Sequence, residues 1–225
     1  VFADADFEKA VSGVMRASFT NQGQICLCGS RVLVQKEIYE PFLAEMIKRT
    51  EALKVGDPMD AQTDIGAIVS EAQWKKDQEY LQIAKEEGGK VETGGNIPAV
   101  GGRCSNGYFL RPTIISGLGP QCRINQEEIF GPIISIMPVV GVVEALQTAY
   151  GTPFGLSATV WTDNLSRSHR IAAGLHTGIV WVNSWMVRDL RTPFGGMKQS
   201  GVGREGGMEA LRFFTEAKNI YVHLK

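Results

Sequence analysis

The sequence predicts an α/β fold. Segments with helical spacing of apolar residues alternate with short β-branched, strand-like segments along most of the 225 residues, which is the signature of this class. Asp, Asn, Ser and Gly also fall at the junctions where such elements begin and end. Arg31 to Gln35 (R-V-L-V-Q) is built of strand formers. Ile38 to Leu53 follows as a helix, with Phe42, Leu43, Met46, Ile47 and Leu53 near helical spacing. An Asp-rich loop spans Gly56 to Asp64 and closes at Gly66. Ser70 with Gln73 forms a capping box for a helix to about Glu87, stopped by Gly88 and Gly89. Tyr108 to Ile115, Ile133 to Val140, Leu156 to Thr162 and Gly178 to Asn183 are expected strands. Between the last two, Asp163 is placed to cap a helix ending near Gly174. Ala217 to Leu224 alternates like a terminal strand, which usually pairs with another element or another subunit.

Composition narrows the function. Lys and Arg number 23 against 24 Asp and Glu, and the pI is near 6.4. No long-range field draws in phosphate backbones or anionic lipid, so nucleic acid and membrane partners are not expected. The longest apolar run, Pro132 to Val143, is broken by Ser135, Pro138 and Gly141 and is well short of the ~20 residues of a membrane helix. The start does not read as a secretion signal. Four cysteines are too few for a disulfide scaffold, and Cys26-Leu27-Cys28 lacks a second ligand pair. No metal site is expected, and a reducing, cytoplasmic setting fits. The chain starts at Val1 rather than Met, so it reads as either processed or part of something longer.

Gly195 to Gly207 is dense in glycine and contains Gly201-Val202-Gly203-Arg204-Glu205-Gly206, a literal G-x-G-x-x-G. Only 19 residues follow it, too few for the rest of a dinucleotide-binding βαβ unit. A loop needing positive φ and close backbone approach is the expected structure. The histidines, His169, His176 and His223, lie in poor contexts for acid–base work. Cys26 is the more informative residue, in Asn21-Gln22-Gly23-Gln24-Ile25-Cys26-Leu27-Cys28-Gly29-Ser30-Arg31. A thiol between glycine-bearing turns and a strand start can offer its sulfur and its own N–H to a bound carbonyl, whereas an isolated cysteine is more often buried and inert.

This string resembles the active-site signature of the aldehyde dehydrogenase superfamily, in which Gly-Gln-x-Cys is followed by small residues and Arg. The resemblance assigns the nucleophile to Cys26, with Cys28 a bystander. Asn125-Gln126-Glu127-Glu128-Ile129-Phe130-Gly131-Pro132 resembles the family's Glu-x-Phe-Gly-Pro motif. There Glu128 would bind the nicotinamide ribose hydroxyls and Phe130 would pack beside the nicotinamide of NAD. A carboxylate can accept from two vicinal hydroxyls, and an aromatic wall can orient the ring. Thr152 to Ala158, Trp181 to Asn183 and Pro193 to Gly201 match further landmarks in the same order. Gln73 and Lys76 fall where some members touch the adenosine half of the cofactor; two polar residues on a helix face are more commonly just solvated.

The family's substrate tunnel is lined by the loop that here reads Ser184 to Thr192. Many members that oxidise apolar aldehydes carry an aromatic residue at the place of Arg188. An arginine fork there suits a carboxylate, and the run is similar to that of the 2-aminomuconic and 2-hydroxymuconic semialdehyde dehydrogenases. The competing expectation is that Arg188 pairs with Asp189; Arg191 is less suited as a clamp.

The resemblance implies an open, mostly parallel sheet with flanking helices over residues 1–207. Residues 208–225 would be a return helix and an oligomerisation strand of a homo-oligomer. It also implies oxidation of a small-molecule aldehyde to the acid, by a chain lacking the upstream cofactor domain, oxyanion amide and general-base Glu. The alternative is a truncated, non-catalytic product acting only in assembly.

Overall fold

The computed structural model describes residues 1–225. Helix α1 (Phe7–Phe19) starts at Asp6, whose carboxylate accepts from the Lys9 N–H at 3.1 Å, the usual N-cap arrangement. It leads through a tight loop into β1 (Arg31–Gln35) and then α2 (Tyr39–Ala52). Helix α3 (Glu71–Glu86) is capped by Ser70 accepting from the Gln73 N–H. Strands β2 (Lys90–Thr93), β3 (Thr113–Ser116) and β4 (Ile133–Val139) complete the main sheet, with the short helix α4 (Arg123–Gln126) between the last two. The strand order is β1-β4-β3-β2; β1 and β3 run parallel to β4, and β2 is antiparallel to β3.

Both faces of this sheet are covered, as parallel strands require. Successive residues alternate between the two sides. Ile114, Ile134 and Ile136 meet Val11 and Val14 of α1 and Phe42 and Met46 of α2, while Ile115 and Ile133 meet Tyr80, Leu81 and Ala84 of α3. At about 2 kcal/mol or more for each buried aliphatic chain, these two layers fix the ends of the strands against which the site is built.

A second unit follows: α5 (Val142–Tyr150), β5 (Phe154–Gly155), β6 (Ser157–Val160), α6 (Leu165–Gly174), β7 (Ile179–Val182), β8 (Met197–Lys198) and α7 (Gly207–Phe214). Here β6 and β7 pair in parallel, and β5 pairs antiparallel with β8. Val1 and Phe2 link the two units. The Val1 amine donates to the Leu33 carbonyl at 2.7 Å, the Gln35 N–H donates to the Val1 carbonyl at 2.9 Å, and the Phe2 N–H to the Trp161 carbonyl at 2.9 Å. No helix of the chain is long and apolar enough to cross a membrane.

Four expectations need correction. Tyr108 to Ile115 is a strand only from Thr113, because Pro112 lacks a donor and because Phe109 and Leu110 are buried as anchors in irregular backbone. The Phe109 carbonyl takes the Trp74 indole N–H at 2.9 Å instead of a sheet partner. The helix before Gly174 is capped by Asn164 rather than Asp163, the Asn164 side chain accepting from the Arg167 N–H. Ala217 to Leu224 forms no strand: these residues are exposed and their backbone N–H groups donate to no backbone acceptor. Their alternation marks a segment that can pair, but a strand forms only against a partner edge, and no strand of this chain pairs with it. Helix α1, finally, occupies a stretch in which no helix is expected from the residue pattern set out above.

Candidate active site

The loop between α1 and β1 departs from ordinary backbone geometry. Asn21, Gln22 and Gly23 have φ of 52, 58 and 71°. Asn tolerates this region, but Gln does so at a cost of about 1–3 kcal/mol that the surroundings must offset. The Asn21 side chain donates to the Gln24 carbonyl at 3.1 Å, and the Gln24 side chain accepts from the Val69 N–H at 3.0 Å. Gly23 lies so close to Gly131 that a Cβ would stand 2.2 Å from its carbonyl oxygen. Glycine is therefore required twice at this residue, for its φ and for the close approach.

A turn then presents the thiol. The Cys28 N–H donates to the Ile25 carbonyl at 2.8 Å, making Cys26 and Leu27 the central residues. Cys26 is exposed and Leu27 is buried. The Cys26 N–H donates to no protein acceptor. Cys28 differs: it is half-buried, its sulfur lies 3.7 Å from the Thr20 carbonyl, and burial pushes its thiol up to about 11. At neutral pH Cys28 is thus overwhelmingly protonated and a poor nucleophile.

Two adjacent glutamates have separate fates. Glu127 pairs with Arg123 at 2.9 Å and accepts from the Tyr80 hydroxyl at 2.8 Å, and these bonds hold its carboxyl below the usual range. The Glu128 carboxylate is exposed and engages no hydrogen-bond or ion-pair partner. The Glu128 backbone is gripped instead: Lys76 Nζ donates to its carbonyl at 2.7 Å, and Gln73 Nε2 donates to the next carbonyl, Ile129, at 2.8 Å. Gln73 and Lys76, considered from sequence as contacts for the far half of the cofactor, thus have their donors on this segment. Ile129 is buried, and Phe130 follows at φ 67°, a strained value for a bulky residue.

Beneath this segment lies Asp77, which in the sequence looks like one more charge on a helix. It is fully buried, and one carboxylate oxygen has no partner. Burial pushes it up to about 6, against the opposing pull of its bond from Gln73 and the charge of Lys76. A folded-state value above the unfolded one means the folded chain holds the extra proton. The ionised group therefore weakens the fold above about pH 6, and the penalty is relieved as pH falls toward 4. Asp77→Asn is expected to raise stability at pH 8 by up to about 3 kcal/mol, with the gain shrinking through pH 6. Denaturant titrations at pH 8 and 4.5 check this; a gain equal at both would contradict it.

The loop after β7 carries Arg188. Trp185 fastens it to the thiol turn, its indole N–H donating to the Leu27 carbonyl at 2.9 Å, and Trp181 donates to the Val187 carbonyl at 2.8 Å. Leu27, Trp181 and Trp185 share one apolar cluster, against which Ile25, Met186 and Phe194 pack. Asp189 is paired in bidentate fashion with Arg191, at 2.9 and 2.5 Å. The expected competitor for Arg188 is therefore engaged elsewhere. Arg188 is exposed, with its guanidinium 4.3 Å from the Phe194 ring centre, a geometry in which the fork stays available at its edge. His176 packs on Tyr150 at 4.8 Å. In the glycine-rich segment, added Cβ atoms at Gly206 and Gly207 would lie 2.5 and 2.2 Å from the Thr192 and Arg191 carbonyls, so this segment is a close backbone crossing.

Cys26, Glu128, Phe130 and Trp185 line one cavity of about 490 Å³. An exposed thiol, a backbone donor without a protein partner, a free carboxylate and an aromatic ring on one lining are groups that covalent chemistry on a small carbonyl compound can use. The chain belongs to the aldehyde dehydrogenase family, whose model matches residues 1–220. It is 45% identical over 224 residues to the 2-aminomuconic 6-semialdehyde dehydrogenase of Pseudomonas sp, covering 100% of this chain and 46% of that one. It is 42% identical over 224 residues to the human 2-aminomuconic semialdehyde dehydrogenase, covering 99% and 46%. Among solved structures, HpcC from Thermus thermophilus superposes with a TM-score of 0.94 at 39% identity, over 100% of this chain and 45% of that one. Betaine aldehyde dehydrogenase from Staphylococcus aureus in complex with NAD+ gives 0.90 at 36% identity, over 95% and 42%. The chain thus spans about half the length of the curated relatives it matches.

Proposed function

We propose that these residues are the catalytic half of an NAD-dependent dehydrogenase that oxidises a semialdehyde bearing a carboxylate to the corresponding acid. The observation that carries the reading is the shared cavity, in which the exposed Cys26 and the unpartnered Glu128 lie on one lining with Phe130. The Cys26 thiolate adds to the aldehyde carbon to form a thiohemiacetal. The Cys26 N–H, which no protein acceptor engages, meets the developing oxyanion. When bound, the nicotinamide supplies the acceptor for the aldehyde hydride. Glu128 would accept from two ribose hydroxyls, and the Phe130 ring would pack beside the nicotinamide. This is the end of the cofactor that Glu128 and Phe130 would hold. Arg188 holds the carboxylate at the far end of the substrate, its fork free because Asp189 is taken by Arg191.

Hydrolysis of the resulting thioester needs a carboxylate base, and the oxyanion needs a second donor. Both belong to an upstream half carrying the Glu-x-Gly-Gly-Lys segment of the family; the two halves together are called the complete enzyme below. Helix α7 and the tail expose Phe213, Phe214, Ile220, Tyr221, Val222 and Leu224, an apolar surface suited to pairing with another copy in a homo-oligomer. NADH formation followed by absorbance tests the reading. The complete enzyme is expected to turn over a carboxylated semialdehyde and the 225 residues alone to give none. Turnover by the 225 residues alone would contradict the division of the site between two halves.

A further inference from the structure

Helix α3 touches both reactive segments, and its most buried ion sits where they meet. Its leader bonds to the thiol loop through Gln24 and the Val69 N–H, and its Gln73 and Lys76 hold the Ile129 and Glu128 carbonyls. Gln73 Nε2 makes two bonds at once, to the Ile129 carbonyl at 2.8 Å and to Asp77 Oδ1 at 2.7 Å. A primary amide nitrogen has two hydrogens, so with both directed the amide cannot rotate without losing one bond. The same carboxyl closes the space under Gly131: a Cβ there would stand 2.3 Å from Asp77 Oδ1. Gly131 in turn abuts Gly23 of the thiol loop. Asp77, Gly131 and Gly23 therefore form one stack beneath the cavity.

We propose that Asp77 is a positioning residue for the cofactor wall, holding the Ile129 carbonyl through Gln73 and seating Gly131, so that Phe130 keeps its left-handed backbone and Glu128 its place on the cavity. The inference rests on the reading of Glu128 and Phe130 as that wall. For the fold alone, an aliphatic side chain of equal size would serve Asp77 better, since its Oδ2 is buried without a partner and buried ions are costly. A residue that weakens the fold while ordering a strained loop is the pattern of a functional site.

Leucine keeps the branching of aspartate without its acceptors, although its methyl groups are larger than carboxylate oxygens, and asparagine keeps one acceptor without the charge. In the complete enzyme, Asp77→Leu is expected to weaken NAD binding, measured by calorimetric titration, about tenfold, and to make hydrogen exchange over residues 127–133 about tenfold faster while exchange over β1 and α2 stays within about twofold. Asp77→Asn is expected to restore NAD binding and slow exchange to within about twofold of wild type. A residue that merely held the fold would speed exchange across the core together. The proposal is overturned if Asp77→Leu speeds exchange equally over β1 and α2, or if it leaves both exchange and NAD affinity unchanged while Glu128→Gln weakens NAD binding. If Glu128→Gln leaves NAD binding unchanged but Asp77→Leu still speeds exchange, the cofactor reading of the segment fails and its positioning by Asp77 stands.

Discussion

Cys26→Ser in the complete enzyme lowers turnover of a carboxylated semialdehyde by at least about 10³-fold, as expected for loss of a covalent nucleophile, while Cys28→Ser leaves it within about threefold. The two thiols are two residues apart, so the contrast tests placement rather than neighbourhood. Cys26 is a central residue of the Ile25–Cys28 turn and is exposed, whereas Cys28 is half-buried and its thiol is pushed up to about 11. The sign is simple: below that value Cys28 stays protonated, so raising the pH from 7 to 9 still leaves its thiolate at about one part in a hundred. Alkylation by iodoacetamide at pH 8, followed by peptide mass spectrometry, should therefore label Cys26 and spare Cys28. Equal loss of activity in both variants would contradict the assignment.

Arg188→Ala raises KM for a carboxylated semialdehyde about 10- to 100-fold, the scale of a lost charge-assisted fork, and changes KM for an apolar aldehyde by less than about threefold. The neighbours of this side chain leave its fork free. Trp185 fastens the loop to Leu27, beside Cys26, and Phe194 supports the guanidinium at 4.3 Å. Arg191 occupies Asp189 and so keeps the nearest carboxylate away from Arg188. Arg188→Lys should recover only part of the loss, because an ammonium keeps the charge without the planar pair of donors. Steady-state kinetics with both aldehydes check the split, and equal effects on the two would remove the carboxylate clamp.

Much of the fold was legible where the signal is local. The β1 segment, the Ser70 cap and the strands β4, β6 and β7 follow from patterns a few residues long. The α/β class also holds against solved relatives at TM-scores of 0.90 and above. What escaped the sequence depends on partners distant along the chain. Helix α1 carries a readable stripe, Ala10, Val11 and Val14 at helical spacing, but its Asp-rich approach resembles a loop. The terminal segment alternates as a strand should, yet strand formation is decided by an available edge. Asp77 looks like an ordinary surface charge among Lys75, Lys76 and Glu79; only the approach of Gly131, fifty-four positions away, shows that it is interior. The site shows the same division. Cys26, Glu128 and Phe130 are visible because each sits in a compact motif, whereas the Gln73 and Lys76 contacts and the free state of Arg188 depend on which groups lie across the fold.

The central claim is that the Cys26 sulfur carries the substrate as an acyl thioester. Mixing the complete enzyme with NAD and a carboxylated semialdehyde, quenching in acid within the first turnover and sequencing the peptides by tandem mass spectrometry tests it directly. The account predicts the acyl mass on Cys26 and none on Cys28, Cys104 or Cys122. Turnover with the adduct on another residue, or with Cys26 unmodified and freely alkylatable throughout, would contradict it.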